Sequence, residues 1–152
     1  MNINEIKKVY SKKDNEHNFT HILRLKKNVR ILKKNIWKIN EDLLEFLILY
    51  HGLKDYVTKN KKDFDDQKVI SLLRHNDNPK TIEEKIVFDA NMLDNLDRQG
   101  IRKSLCIGKK IGRNKEETFN YLKREMKKAK FYTKEGKRLG REQIRRMRRD
   151  LR

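Results

Sequence analysis

Between Asn40 and Leu53 the chain reads NEDLLEFLILYHGL. As a helix, Leu43, Leu44, Phe46, Leu47, Ile48, Leu49 and Tyr50 leave it no polar face, so it must be buried on all sides. Asn40 is placed to cap its first turn. With 41% of the residues charged and 36% hydrophobic, the remaining apolar side chains have to be arranged around this segment. They recur by threes and fours, which is helical spacing. Ile22, Leu25, Val29, Leu32 and Ile36 form such a stripe within Asn15–Trp37. Ile82, Ile86, Ala90, Leu93 and Leu96 form another, opened by Thr81 and Glu84 as a capping box and closed before Gly100 as a C-cap.

The rest of the chain follows the same period. Ile3–Lys13 reads as a short helix or an arm, and Asp66–His75 as a short helix with Val69, Ile70, Leu72 and Leu73 inward. Asp55–Asp65 reads as a loop, Ile101–Ile107 as a short helix, and Gly108–Gly112 as a loop. Lys115–Lys130 and Lys137–Arg152 close the chain as helices. No useful strand alternation occurs. The expected class is all-α, a compact bundle of six to eight helices over 1–152. Residues 1–14 would be an arm or short helix, 15–107 the core, and 108–152 basic helices.

Charge is unevenly placed. Residues 1–97 carry 19 basic and 16 acidic side chains, and residues 98–152 carry 21 and 6. A basic third of this kind attracts polyanions, so nucleic acid is an expected partner of residues 98–152. The single cysteine, Cys106, excludes an internal disulfide and suits a reducing compartment. No apolar run spans a bilayer, and the polar N-terminus lacks a signal-peptide core. A cytoplasmic protein that does not enter the membrane is the expectation.

Four histidines carry most of the chemistry. His17 and His21 lie one helical turn apart and share a face. Such a pair suits a metal or a phosphate, or is simply exposed. His51 ends the most buried helix, and His75 ends the short one. Asp89, Asn91, Asp94 and Asp97 are interleaved with the apolar stripe of 82–96, as metal-binding carboxylates or as a solvated face. GKKIG at 108–112 lacks the spacing and preceding strand of a phosphate-binding loop.

Taken in order, HNFTHILRL (17–25), FLILYHG (46–52), LLRHNDNPKTIEEKIVFDANMLDNL (72–96) and FYTKEGKRLGREQIRRM (131–147) resemble the HD superfamily of metal-dependent phosphohydrolases. The similarity is closest to its small single-domain branch. The resemblance implies an all-helical bundle of the HD-domain type and a divalent metal ion (Mn, Ni, Fe or Zn). It also implies a nucleotide or other phosphate ester as substrate. It places His21 and His51 as metal ligands, with Asn91 or, in a register shifted by two, Asp89 completing the shell. His17 and His75 would face the substrate phosphate, and Lys54 or Arg74 would neutralise its charge.

The sequence departs from the family pattern at the metal. The His-Asp pair is His51-Gly52, and the usual Asp-Ala-Asp is Asp89-Ala90-Asn91. Two anionic ligands are thereby missing from a site that works by polarising a phosphoryl oxygen and activating water. Asp55, one turn beyond His51, and Asp89 are the nearby acids that could take their place in catalysis. The alternative is an inactive relative that binds a phosphate ligand or nucleic acid.

Overall fold

The computed structural model describes residues 2–13 and 18–152. Among these residues the chain is all-helical, with no strand. The helices are α1 (Ile3–Ser11), α2 (Phe19–Leu32), α3 (Glu41–Tyr50), α4 (Lys54–Lys59), α5 (Asp66–Arg74), α6 (Ile82–Asn95), α7 (Arg98–Lys110), α8 (Lys115–Lys128) and α9 (Lys134–Asp150), with one 3-10 turn at Lys61–Asp63. None is long and apolar enough to cross a membrane.

Helix α6 is the element on which the others are assembled. It packs against α2, α3, α7 and α9. The larger core joins α1 to α6 through Ile6, Tyr10, Leu25, Leu47, Leu72 and Ile86, all fully buried. A smaller core gathers Leu96, Leu122, Met126, Met147 and Leu151 where α8 and α9 meet the end of α6. Helix α3 lies largely inside, with Leu44, Phe46, Leu47, Ile48 and Tyr50 buried, but it is not buried on all sides as expected: Glu41, Asp42 and Glu45 are exposed and give it a polar side.

Several boundaries follow local chemistry. The Asn2 side chain accepts from the Asn4 and Glu5 amides and Glu5 returns to the Asn2 amide, which fixes α1 as a helix. Asn40 accepts from the Leu43 amide at the start of α3. Thr81 accepts from the Glu84 amide at 3.3 Å, but the second half of the expected box is absent. The Glu84 carboxylate instead accepts from the Lys80 amide and from Arg74.

Other expectations are corrected. Helix α2 spans Phe19–Leu32, with Asn18 as its cap, and does not reach Trp37, which is 98% exposed. Within 55–65 the chain forms α4 and the 3-10 turn rather than a loop. On α5, Val69 and Leu72 face inward, but Ile70 and Leu73 are exposed. Gly100 does not end α6. Asp97 accepts from the Gly100 amide and caps α7, whose third residue is Gly100. A β-carbon there would lie 1.9 Å from the Asn95 carbonyl oxygen, so the tight α6–α7 junction needs a glycine. Helix α7 runs through Gly108 to Lys110, and the chain turns at Gly112, where φ is +80°. Helix α9 starts three residues earlier than expected, at Lys134, capped by Thr133.

Candidate functional site

The ends of α3 and α5 and the facing sides of α2 and α6 bring three of the four histidines together. His17 lies outside the described residues. The His21 and His51 ring centroids are 5.4 Å apart, and those of His51 and His75 are 5.0 Å apart.

The hydrogen bonds fix how the buried rings are protonated. His75 Nδ1 lies 2.6 Å from the Leu72 carbonyl oxygen, which can only accept, so Nδ1 carries the proton. Burial lowers the His75 pKa to about 4, with the Leu72 bond acting against it, so the ring is neutral at pH 7. Its Nε2 is therefore an acceptor. His51 Nδ1, 2.8 Å away, donates to it. His51 is held neutral too, by burial first and then by the charges of His75, His21 and Lys54, while the Asn91 carboxamide hydrogen-bonds it and acts in the opposite sense. Neutral His51 with its proton on Nδ1 presents an unprotonated Nε2.

His21 is oriented from the other side. Its Nδ1 donates to Asp94 Oδ2 at 2.8 Å, and Arg24 Nε donates to Asp94 Oδ1 at 2.8 Å. Burial pushes the Asp94 carboxyl up, but the hydrogen bonds and charges of His21 and Arg24 outweigh it and hold the group below its ordinary pKa. A carboxylate behind an imidazole fixes the ring and directs Nε2 away from it.

A cavity of about 240 Å³ lies over this group, lined by Tyr10, His21, His51, Gly52, Asn76, Asn91, Asn95 and Lys103. Among the described residues no carboxylate lines it. The Asn76 carboxamide oxygen is buried and has no hydrogen-bond partner among the described residues. Tyr10 closes the α1 side. Its hydroxyl donates to the Leu49 carbonyl at 2.8 Å and accepts from the Gly52 amide at 3.1 Å.

The structure therefore brings together His21, His51 and Asn91 of the expected set. His75 is fully buried and supports His51 rather than facing the cavity. Asp89 is engaged elsewhere. Its Oδ1 accepts from the Tyr132 amide at 2.9 Å, and its Oδ2 accepts from the Thr133 amide and hydroxyl at 2.7 and 2.6 Å. Asp89 is thus a buried anchor for the start of α9, neither a solvated residue nor a group of the cavity. Asp55 is exposed on α4 and does not line the cavity. Arg74 holds Glu84 through Nε and Nη2 at 2.7–3.0 Å. Lys54 lies near the His51–His75 pair and lowers the pKa of both rings, but its Nζ is directed to the Leu73 carbonyl at 3.5 Å.

These donors do not fit a catalytic divalent metal. Among the described residues no three His, Cys, Asp or Glu side chains form a group that could hold a metal ion. Two imidazole nitrogens and a carboxamide supply no negative charge to the first shell, and catalytic sites ordinarily keep three protein ligands. Asp94, the one carboxylate hydrogen-bonded to these histidines among the described residues, is already bound to His21 and neutralised by Arg24.

The sequence pattern does not single out Asn76, Asn95, Lys103 or Tyr10, and it offers Asp94 only as one of several acids beside the 82–96 stripe, not as the partner of His21. Asp94 carried a usable signal. It lies one turn beyond Asn91, while His21 and Arg24, three apart, share a face of another amphipathic helix.

No protein-family model and no curated protein matches the sequence. Among solved structures, the Lin1889 protein of Listeria innocua is similar. The two align with a TM-score of 0.68 and 22% identity, over 99% of this chain and 94% of that one. That likeness extends to the fold.

Proposed function

We propose that this chain is a non-hydrolytic relative of the HD phosphohydrolases that binds a phosphate-bearing small molecule, such as a nucleotide, without a metal ion. The observation that carries this reading is the lining of the cavity. It consists of imidazoles, carboxamides and the Lys103 ammonium, while Asp89, Asp94 and Glu84 are each bound to internal partners. Such a lining favours an anion over a cation. The Asn76 carboxamide oxygen adds an acceptor that suits a hydroxyl or amino group on the same ligand. The cavity accommodates a phosphate with part of a sugar and leaves a base at the mouth.

Calorimetric titration with inorganic phosphate, ribose 5-phosphate and nucleoside monophosphates tests the reading. Binding without added metal is expected, weakened at least tenfold by Lys103→Ala and by Asn91→Ala. Absence of binding at millimolar ligand, or turnover of these esters on adding Mn²⁺, overturns it.

A further inference from the structure

Helix α9 presents a second feature, separate from the cavity and independent of what the cavity binds. Residues 134–152 contain nine basic side chains against three acidic ones. The apolar side of the helix is buried through Met147, with Leu151 just beyond its end. On the opposite side, Lys134, Arg138, Arg141, Arg145 and Arg148 step by four, three, four and three residues. All five are exposed. At 1.5 Å per residue this row is about 21 Å long. Arg138 is paired with Glu135 and Glu142. Lys134, Arg141, Arg145 and Arg148 make no ion pair among the described residues.

We propose that this face of α9 docks on double-stranded nucleic acid through the phosphate backbone. A straight cationic row of this length matches a polymer that carries about one charge per 1.7 Å of axis. Single strands are normally held by stacking on exposed aromatic rings, and this face offers none. Tyr132 packs edge-on against Phe88 at 5.0 Å, and Phe131 is half-buried against the core. A membrane surface would need exposed apolar side chains beside the cations. Among the described residues the exposed large apolar side chains are Ile3, Leu23, Ile31, Trp37, Ile70, Leu73 and Ile111, none of them on α9. The contacts are to phosphate, so binding does not depend on base sequence.

The test is fluorescence anisotropy with labelled 20-base-pair DNA and RNA duplexes, a single strand of the same length, and poly-L-glutamate as competitor, from 50 to 200 mM salt. Four phosphate contacts predict a slope of log K against log salt of about −4 or steeper, a loss of order 10² across the series. Arg141→Gln/Arg145→Gln, which preserves helix propensity, should bring the slope nearer to zero by about 2 without changing the thermal midpoint. Lys103→Ala should leave it unchanged. Binding of either duplex supports the proposal, and a preference between them names the source. No duplex binding at 50 mM salt, an unaltered slope in the arginine variant, tighter binding of the single strand, or equal displacement by poly-L-glutamate at matched charge each overturns it.

Discussion

Acidification from pH 7 to pH 5 should cost this protein about 2 kcal/mol or more through two buried histidines. His75 is fully buried and its pKa falls from the ordinary 6.5 to about 4. A histidine with a depressed native pKa binds a proton in the unfolded chain before it does in the native one, so stability falls as pH drops through 6.5 and levels off near 4. At pH 5 the unfolded imidazole is almost fully protonated and the native one is not. The loss relative to pH 7 is then about 2 kcal/mol for His75 alone. His51 is also held well below its ordinary pKa, by burial first and then by His75, His21 and Lys54, and adds to the loss in the same direction.

The groups around the pair do not reverse this. Lys54 disfavours a proton on either ring, while Glu84 and Asp77 favour one on His75 and are already included in its pKa of about 4. Asp94 and Glu84 are held below their ordinary values, so they titrate below the window. Asp89 and Asp97, raised by burial, stabilise the native state as they protonate and can only reduce the loss. Urea denaturation at pH 7, 6 and 5, with the m-value constant, measures the effect. His75→Gln should reduce the pH dependence, whatever its own stability. A wild-type stability that changes by less than about 1 kcal/mol between pH 7 and 5 would refute the neutral buried pair.

Three further outcomes are expected. Asp89→Ala strands the Tyr132 and Thr133 amides and the Thr133 hydroxyl and should lower unfolding free energy by about 3 kcal/mol or more in chemical denaturation; a loss below about 1 kcal/mol contradicts the anchoring role. Gly100→Ala places a methyl 1.9 Å from the Asn95 carbonyl oxygen and should cost more than about 3 kcal/mol, whereas Gly112→Ala, strained only by its φ of +80° with open space around it, should cost about 1 kcal/mol; equal thermal midpoints for the two would contradict the junction geometry. Gly52→Asp with Asn91→Asp supplies two carboxylates to the cavity and should bind Mn²⁺ by calorimetry where the wild type does not; equally tight binding by the wild type would refute the metal-fit argument.

What was legible in the sequence was local. Asn40 and Thr81 announce their helices because a cap and its amide are three residues apart. The burial of most of α3 follows from the apolar residues between Leu43 and Tyr50, while Glu41, Asp42 and Glu45 keep one side of it in solvent. The acids of α6 were illegible for the opposite reason. Asp94 meets its partner His21 across 73 positions of sequence, and Asp89 meets Thr133 across 44. Nothing near either residue says that its carboxylate turns inward. Gly100 was read as the end of α6 because a glycine after an apolar stripe satisfies a C-cap pattern, but Asp97, three residues earlier, satisfies an N-cap pattern equally well. Only the packing of α7 against α6 decides between them. Ile70 and Leu73 followed the helical period yet face solvent, because α5 is covered by α3 and α4 on one side.

The two positions that depart from the HD pattern differ in how the structure accommodates them. Asn91 keeps the shape of an aspartate and keeps a hydrogen bond to His51, so that change removes charge while preserving the contact. Gly52 removes the side chain altogether, and Tyr10 stands where it would have pointed. A β-carbon at 52 would lie 3.1 Å from Tyr10 Cε1 and 3.3 Å from its hydroxyl, whose bonds to the Leu49 carbonyl and the Gly52 amide close the C-terminal end of α3. Lys13, just past the end of α1, also donates to the Gly52 carbonyl. The N-terminal helix therefore fills the space beside Gly52 and supplies a neutral wall to the cavity. The absence of a side chain at 52 is coupled to the docking of α1 through Ile6 and Tyr10, both fully buried. Restoring an aspartate at 52 then has to displace Tyr10, which is why the carboxylate double variant should bind metal at some loss of stability.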